Sequence, residues 1–148
     1  MAVALAASVV AVSSATPASA ADKPLLPPIT VTLKANAQDT GIQFDIICVL
    51  QPLGVTKVGS DAVAAARVSC NALVYSINIG VWLYREGAYV GSDGSVKYWT
   101  NSNDALTGGQ CTDGDYYAYV SALVTAPWAV PSQVFADNWS PIYPITGC

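Results

Sequence analysis

Asp113 and Asp115 are the residues whose type and spacing come nearest to a reactive pair. Two carboxylates facing one cleft are enough for glycoside hydrolysis, with one protonating the leaving group and the other acting as base or nucleophile. Tyr116, Tyr117 and Trp99 would supply an aromatic wall. The two acids flank Gly114 just before a strand, however, so they read as a turn pair. Asp104, Asp113 and Asp115 offer the hard oxygen ligands that suit calcium, but without the spacing of a recognised calcium loop. The chain has no histidine, which removes the Ser-His-Asp and Cys-His arrangements and the commonest general base near neutral pH. The glycines of residues 91–94 and Gly108-Gly109 lack the strand-turn-helix context of a phosphate loop and read as turns. Asn138-Trp139-Ser140 fits the glycosylation sequon and is assigned no role. The expectation is a protein that is not an enzyme, with no catalytic residue, no cofactor and no metal.

Four cysteines, Cys48, Cys70, Cys111 and Cys148, carry the remaining chemistry. Their spacings match no zinc signature, and the commonest partner ligand is absent. In an exported chain they would form two disulfides. Cys48–Cys70 with Cys111–Cys148 is the favoured pairing, although four cysteines allow three pairings and the sequence does not choose among them.

Aromatic side chains are in surplus. Trp82, Tyr84, Tyr117 and Tyr119 fall on strand faces opposite the apparent core, while Trp99, Trp128, Trp139 and Tyr143 lie near turns. If the strands of Trp82 and Tyr117 are neighbours, their outward rings make a patch of the kind that binds a partner or a sugar. If both faces are covered, as in a small closed barrel, the same residues are packing. The candidate interaction residues are Trp82, Tyr84, Trp99, Tyr117, Tyr119 and Trp128.

The elements that would position these groups begin after an apolar leader. Val3 to Val12 is small and apolar, and Ala18-Ser19-Ala20 follows as an A-x-A cleavage site, so residues 1–20 read as a signal peptide and the protein as secreted. No Lys or Arg precedes the apolar run, which leaves room for a start upstream of Met1. No later stretch reaches the roughly 18 apolar residues of a membrane span. The net charge is −4 and the basic residues are scattered, which argues against nucleic acid.

Residues 21–35 contain Pro24, Pro27 and Pro28 and must be extended. They form either an arm that adds a strand to a partner's sheet or the domain's own first strand. Beyond them the pattern has period two, the mark of strands with one buried face. Residues 42–50 place Ile42, Phe44, Ile46, Cys48 and Leu50 on one face. Residues 62–74 do the same with Ala62, Ala64, Ala66, Val68, Cys70, Ala72 and Val74. Residues 76–84 alternate Ile77, Ile79, Val81 and Leu83 against Trp82 and Tyr84, as a central strand should. Arg85-Glu86-Gly87 reads as a turn, residues 91–94 as another, 101–115 as a loop, and 116–125 as a strand. The Pro-containing tail is tied down by Cys148.

About seven short strands between turn signals predict an all-β fold, an immunoglobulin-like β-sandwich over residues 36–148 with two disulfides. The Cys70 to Trp82 spacing and Asp113-Gly114-Asp115-Tyr116-Tyr117 resemble the strand-B Cys to strand-C Trp spacing and the tyrosine corner of that architecture. The second immunoglobulin cysteine is missing.

Cys48, Arg67-Val68-Ser69-Cys70, Tyr84-Arg85-Glu86-Gly87, Cys111-Thr112-Asp113-Gly114-Asp115-Tyr116 and Val124-Thr125-Ala126-Pro127-Trp128 together resemble small secreted four-cysteine proteins of actinobacteria. The resemblance implies an exported β-sandwich and no catalytic residues. Some proteins of this look are adaptor subunits of polymorphic toxin particles in Streptomyces. The functional expectation is a secreted protein-interaction module, an adaptor or structural subunit of an extracellular complex, whose partner docks through residues 21–35 or on the domain itself. Carbohydrate binding through exposed Trp and Tyr, and secreted inhibition, are the alternatives.

Overall fold

The computed structural model describes residues 27–36 and 41–148. The expected signal peptide and its cleavage site after Ala20 lie outside the described residues. Among the described residues the regular structure is all strand: β1 Ile29–Asn36, β2 Gln43–Val58, β3 Asp61–Arg85, β4 Ala88–Gln110, β5 Gly114–Thr125, β6 Ala129–Val130, β7 Gln133–Trp139 and β8 Tyr143–Ile145. No helix among them is long and apolar enough to cross a membrane.

The eight strands form one hydrogen-bonded sheet in the order β6-β1-β2-β3-β5-β7, with β4 on β3 and β8 on β5. Two layers face each other because β3 and β4 bend. The first half of β3 pairs with β2 and with the second half of β4, whereas the second half of β3 lies between β5 and the first half of β4. The short β6 pairs with β1 while β7, a few residues on, pairs with β5. The tail thus links the two open edges and brings the sheet close to a closed barrel.

The alternation of residues 62–74 and 76–84 is correct, but these are one strand and not two. Even positions through Val74 point inward; from Ile77 the odd positions Ile77, Ile79, Val81 and Leu83 do, all fully buried. A strand whose inward parity changes must bend or bulge, since a slip of one residue moves every side chain to the other face. The β3–β4 register shifts between Ser69 and Val74, just ahead of the change in parity between Val74 and Ile77. β2 repeats the device: inward positions pass from Ile46, Cys48 and Leu50 to Val55 across a register shift at Pro52/Gly54, where Gly54 has φ +91. The apolar face expected for residues 42–50 is buried only from Ile46 onward, and Ile42 and Phe44 are exposed.

The expected turn at residues 91–94 and loop at 101–115 are corrected outright, for β4 runs through the first and most of the second. Their glycines serve close approach and not chain reversal. A Cβ on Gly109 would lie 2.6 Å from Val90 Cγ1, and one on Gly91 3.0 Å from the Gly108 carbonyl oxygen. The two halves of β4 therefore meet face to face. At the bend between them sits the buried Asn103. Its Nδ2 donates to the carbonyls of Ile77 and Ser95, each at 2.9 Å, and its Oδ1 accepts from Ser95 Oγ at 3.0 Å and the Asp104 N–H at 2.9 Å.

The turn expected at Arg85-Glu86-Gly87 is present as a two-residue β3–β4 loop, with Glu86 at φ 48 and Gly87 at φ 85, the left-handed pair that suits a tight hairpin. Of the two readings of residues 21–35, an arm or the domain's first strand, the described part takes the second. β1 pairs with β2 along its whole length, from Ile29 opposite Leu50 to Asn36 opposite Gln43. Its other edge pairs with β6 at Lys34 and Ala35, and the boundary expected at residue 36 falls inside it.

Both favoured disulfides are present. Cys48 and Cys70 are directly opposite on β2 and β3 with Cα atoms 4.0 Å apart, and Cys111 joins Cys148 at 5.3 Å. Two such bonds fit an oxidising compartment. The tyrosine corner is realised too: the buried Tyr116 donates its hydroxyl to the Thr112 carbonyl at 2.9 Å and accepts the Thr112 N–H at 3.1 Å.

Candidate functional site

The register of the second layer sets its outer face in rows across four strands. Tyr84 on β3 stands opposite Tyr89 on β4 and Tyr117 on β5. In the next row Trp82 stands opposite Ser92 and Tyr119, and Tyr119 opposite Trp139 on β7. These positions alternate with the buried Leu83, Val81, Ala118 and Val120, so the rings have to point away from the core.

Six rings thereby meet in one cluster. Tyr84 and Tyr117 stack at 5.5 Å with 12° between their planes, Tyr84 meets Tyr89 edge-on at 6.1 Å, and Trp82 packs on Tyr119 at 5.4 Å. Trp139 sits among Tyr84, Tyr117 and Tyr119 at 5.8, 5.8 and 4.9 Å. Tyr89 is 60% exposed and Trp139 48%. The Tyr119 hydroxyl donates to Asp137 Oδ2 at 2.7 Å; this bond to a carboxylate, more than burial, raises the Tyr119 pKa above its usual 10.0. Burial raises that of Tyr143.

Four of the six expected interaction residues, Trp82, Tyr84, Tyr117 and Tyr119, belong to this cluster. Trp99 and Trp128 do not. They stack on each other at 5.8 Å and 10°, with Tyr75 edge-on to Trp99 at 5.5 Å and Tyr98 beside Tyr75. Trp99 has φ 50, a conformation that a bulky side chain rarely adopts. It lies on β4 close to Thr100, whose hydroxyl bridges both the N–H and the carbonyl of Ser102. The cluster also includes Tyr89 and Trp139, which were not among the expected residues. Tyr89 lies between the turns expected at residues 85–87 and 91–94, where no strand face was defined, and Trp139 in a tail whose prolines hid the strand β7.

Two of the three candidate carboxylates, Asp113 and Asp104, have structural partners. Asp113 accepts the Cys148 N–H at 2.8 Å, and Asp104 pairs with Arg67 at 2.5 Å. Among the described residues no three His, Cys, Asp or Glu side chains gather as metal ligands. Tyr143, expected near a turn, is buried, with its hydroxyl in the space that a Cβ on Gly54 would need. Comparisons of the chain with protein-family models, curated proteins and solved structures give no match. The functional reading accordingly rests on the geometry of the outer face.

Proposed function

We propose that the protein is a secreted, non-enzymatic interaction module that docks on a partner protein with the outer face of β4, β3, β5 and β7. The observation that carries this reading is the six-ring cluster, assembled from four strands and left open to solvent. Tyr and Trp are the side chains that anchor protein interfaces, because they combine large apolar area with a polar tip and few rotatable bonds. The rings here pack on one another, Tyr84 flat against Tyr117 at 12°. That surface suits a protein better than the flat ring of a sugar. An adaptor or structural subunit of an extracellular toxin-type complex would use such a face, and so would a secreted inhibitor.

The test is capture of partners from the native culture supernatant on the immobilised mature protein, read by mass spectrometry. A stoichiometric partner should be retained by the wild type and by Trp99→Ser, and lost by the double variant Tyr117→Ser/Trp139→Ser. Equal retention by the double variant would remove the cluster as the docking face.

Carbohydrate binding keeps a second reading through Trp99. Trp99 is 65% exposed and stacks on Trp128. Quenching of tryptophan fluorescence by polysaccharides, abolished by Trp99→Ser, is its expected signature.

A further inference from the structure

Beside the aromatic cluster a furrow crosses the strands. Its floor is a row of small residues in register, Gly94 on β4, Gly80 on β3 and Ser121 on β5, and Asp137 on β7 stands opposite Ser121. Trp82 forms one wall, Leu123 and Phe135 the other, and Asp93 lines the β4 end; the volume is about 560 Å³. That is room for a long side chain and the atoms on either side of it.

Trp82 leans over this floor. A Cβ on Gly80 would lie 2.5 Å from Trp82 Cη2 and 2.8 Å from Cζ3, so the indole occupies the space that only glycine leaves free. Whatever enters the furrow therefore lies against the indole.

The charge of the face is one-sided. Asp93 and Asp137 each use one carboxylate oxygen in a hydrogen bond, to the Gly94 N–H and from the Tyr119 hydroxyl respectively. No Lys or Arg lines the furrow. Among the described residues the Arg67–Asp104 ion pair lies on the opposite layer, and the chain as a whole carries −4.

An indole and one carboxylate lining a furrow that no Lys or Arg enters complement a cation, and among protein side chains arginine fits best. Its planar guanidinium stacks on aromatic rings, is weakly hydrated, and matches a carboxylate with two parallel donors, whereas the lysine ammonium is a compact and strongly hydrated charge. We propose that the partner anchors here through an arginine side chain that lies against Trp82 and pairs with Asp93. This inference rests on the reading that the face docks a protein, and it names the chemistry of the partner.

The test uses the full mature chain and three probes: an acetylated and amidated Gly-Arg-Gly peptide, the same peptide with neutral, isosteric citrulline, and cellohexaose. Binding is read from the indole N–H resonance of Trp82, assigned with Trp82→Phe. The arginine peptide should shift this resonance and lose affinity as salt rises. Citrulline should bind about tenfold more weakly, and Asp93→Asn should weaken the arginine peptide by a similar factor. Gly80→Ala, which pushes the indole off the floor without removing it, should also lose the peptide; a retained Cys48–Cys70 bond and an unchanged circular dichroism spectrum would show that this variant is folded. Equal binding of arginine and citrulline, no effect of Asp93→Asn, or a response to cellohexaose alone would overturn the proposal. Partner capture that survives Asp93→Asn but not Tyr117→Ser/Trp139→Ser would overturn the arginine anchor and leave the docking face standing. Arginine-specific shifts in a chain that captures no partner would uphold the chemistry of the furrow and remove the docking reading instead.

Discussion

Asn103 holds the bend of β4 to the Ile77 carbonyl of β3, a residue 26 positions earlier in the chain. The same amide bonds Ser95 on the opposite limb of β4, so one side chain satisfies backbone groups of three segments. A fully buried amide with all its hydrogen bonds made specifies a geometry, because any other arrangement strands polar groups away from water.

Asn103→Leu is therefore expected to destabilise the protein by about 2–4 kcal/mol, the cost of leaving the Ile77 and Ser95 carbonyls without their donor in the interior. Urea unfolding measures it. A loss below about 0.5 kcal/mol would mean that water or a backbone shift replaces the amide.

Tyr116→Phe removes both hydrogen bonds to Thr112 while keeping the buried ring. The expected loss is about 1–2 kcal/mol. It should add to the loss from Asn103→Leu within a few tenths of a kcal/mol, because the two networks share no residue. Strong coupling in a double-mutant cycle would refute that independence.

The two disulfides close loops with sequence separations of 22 and 37 residues. Chain entropy assigns each about 3–4 kcal/mol, the larger value to Cys111–Cys148. Alanine replacement of either pair should lower the melting temperature clearly. Loss of Cys111–Cys148 should in addition expose the segment from Tyr143 to early proteolysis, because β8 is held to β5 by three residue pairs. A melt unchanged by reductant would contradict the stabilising role.

Alkaline unfolding tests the tyrosines. Tyr119 and Tyr143 both have raised pKa values, so the folded state keeps their protons where the unfolded chain releases them. Their contribution is complete below pH of about 10 and is lost as pH rises through the higher folded values. Tyr143→Phe should flatten the decline in stability above pH 10, and Tyr119→Phe less so because that ring is nearer solvent. A slope unaffected by both changes would show that other groups govern alkaline stability.

Much of this molecule is a local property of the sequence. The inward faces of Ile77 to Leu83 and of Tyr116 to Val124, and the inward direction of Cys48 and Cys70, follow from strand geometry alone, which alternates side chains strictly from one residue to the next. The outward direction of Trp82, Tyr84, Tyr117 and Tyr119 follows from the same rule, as does the glycine-containing hairpin at Glu86-Gly87. Tertiary structure decided what alternation cannot express. A glycine reads alike whether it turns the chain or lets two backbones approach, and only the contact of Gly109 with Val90 shows which role it has. The break in parity between residues 74 and 77 reads as a strand end, yet the chain absorbs it as a bend, because both halves of β3 then find apolar layers to cover. Trp139 joins the cluster because β7 pairs with β5, and pairing between strands distant in sequence depends on the closure of the whole core.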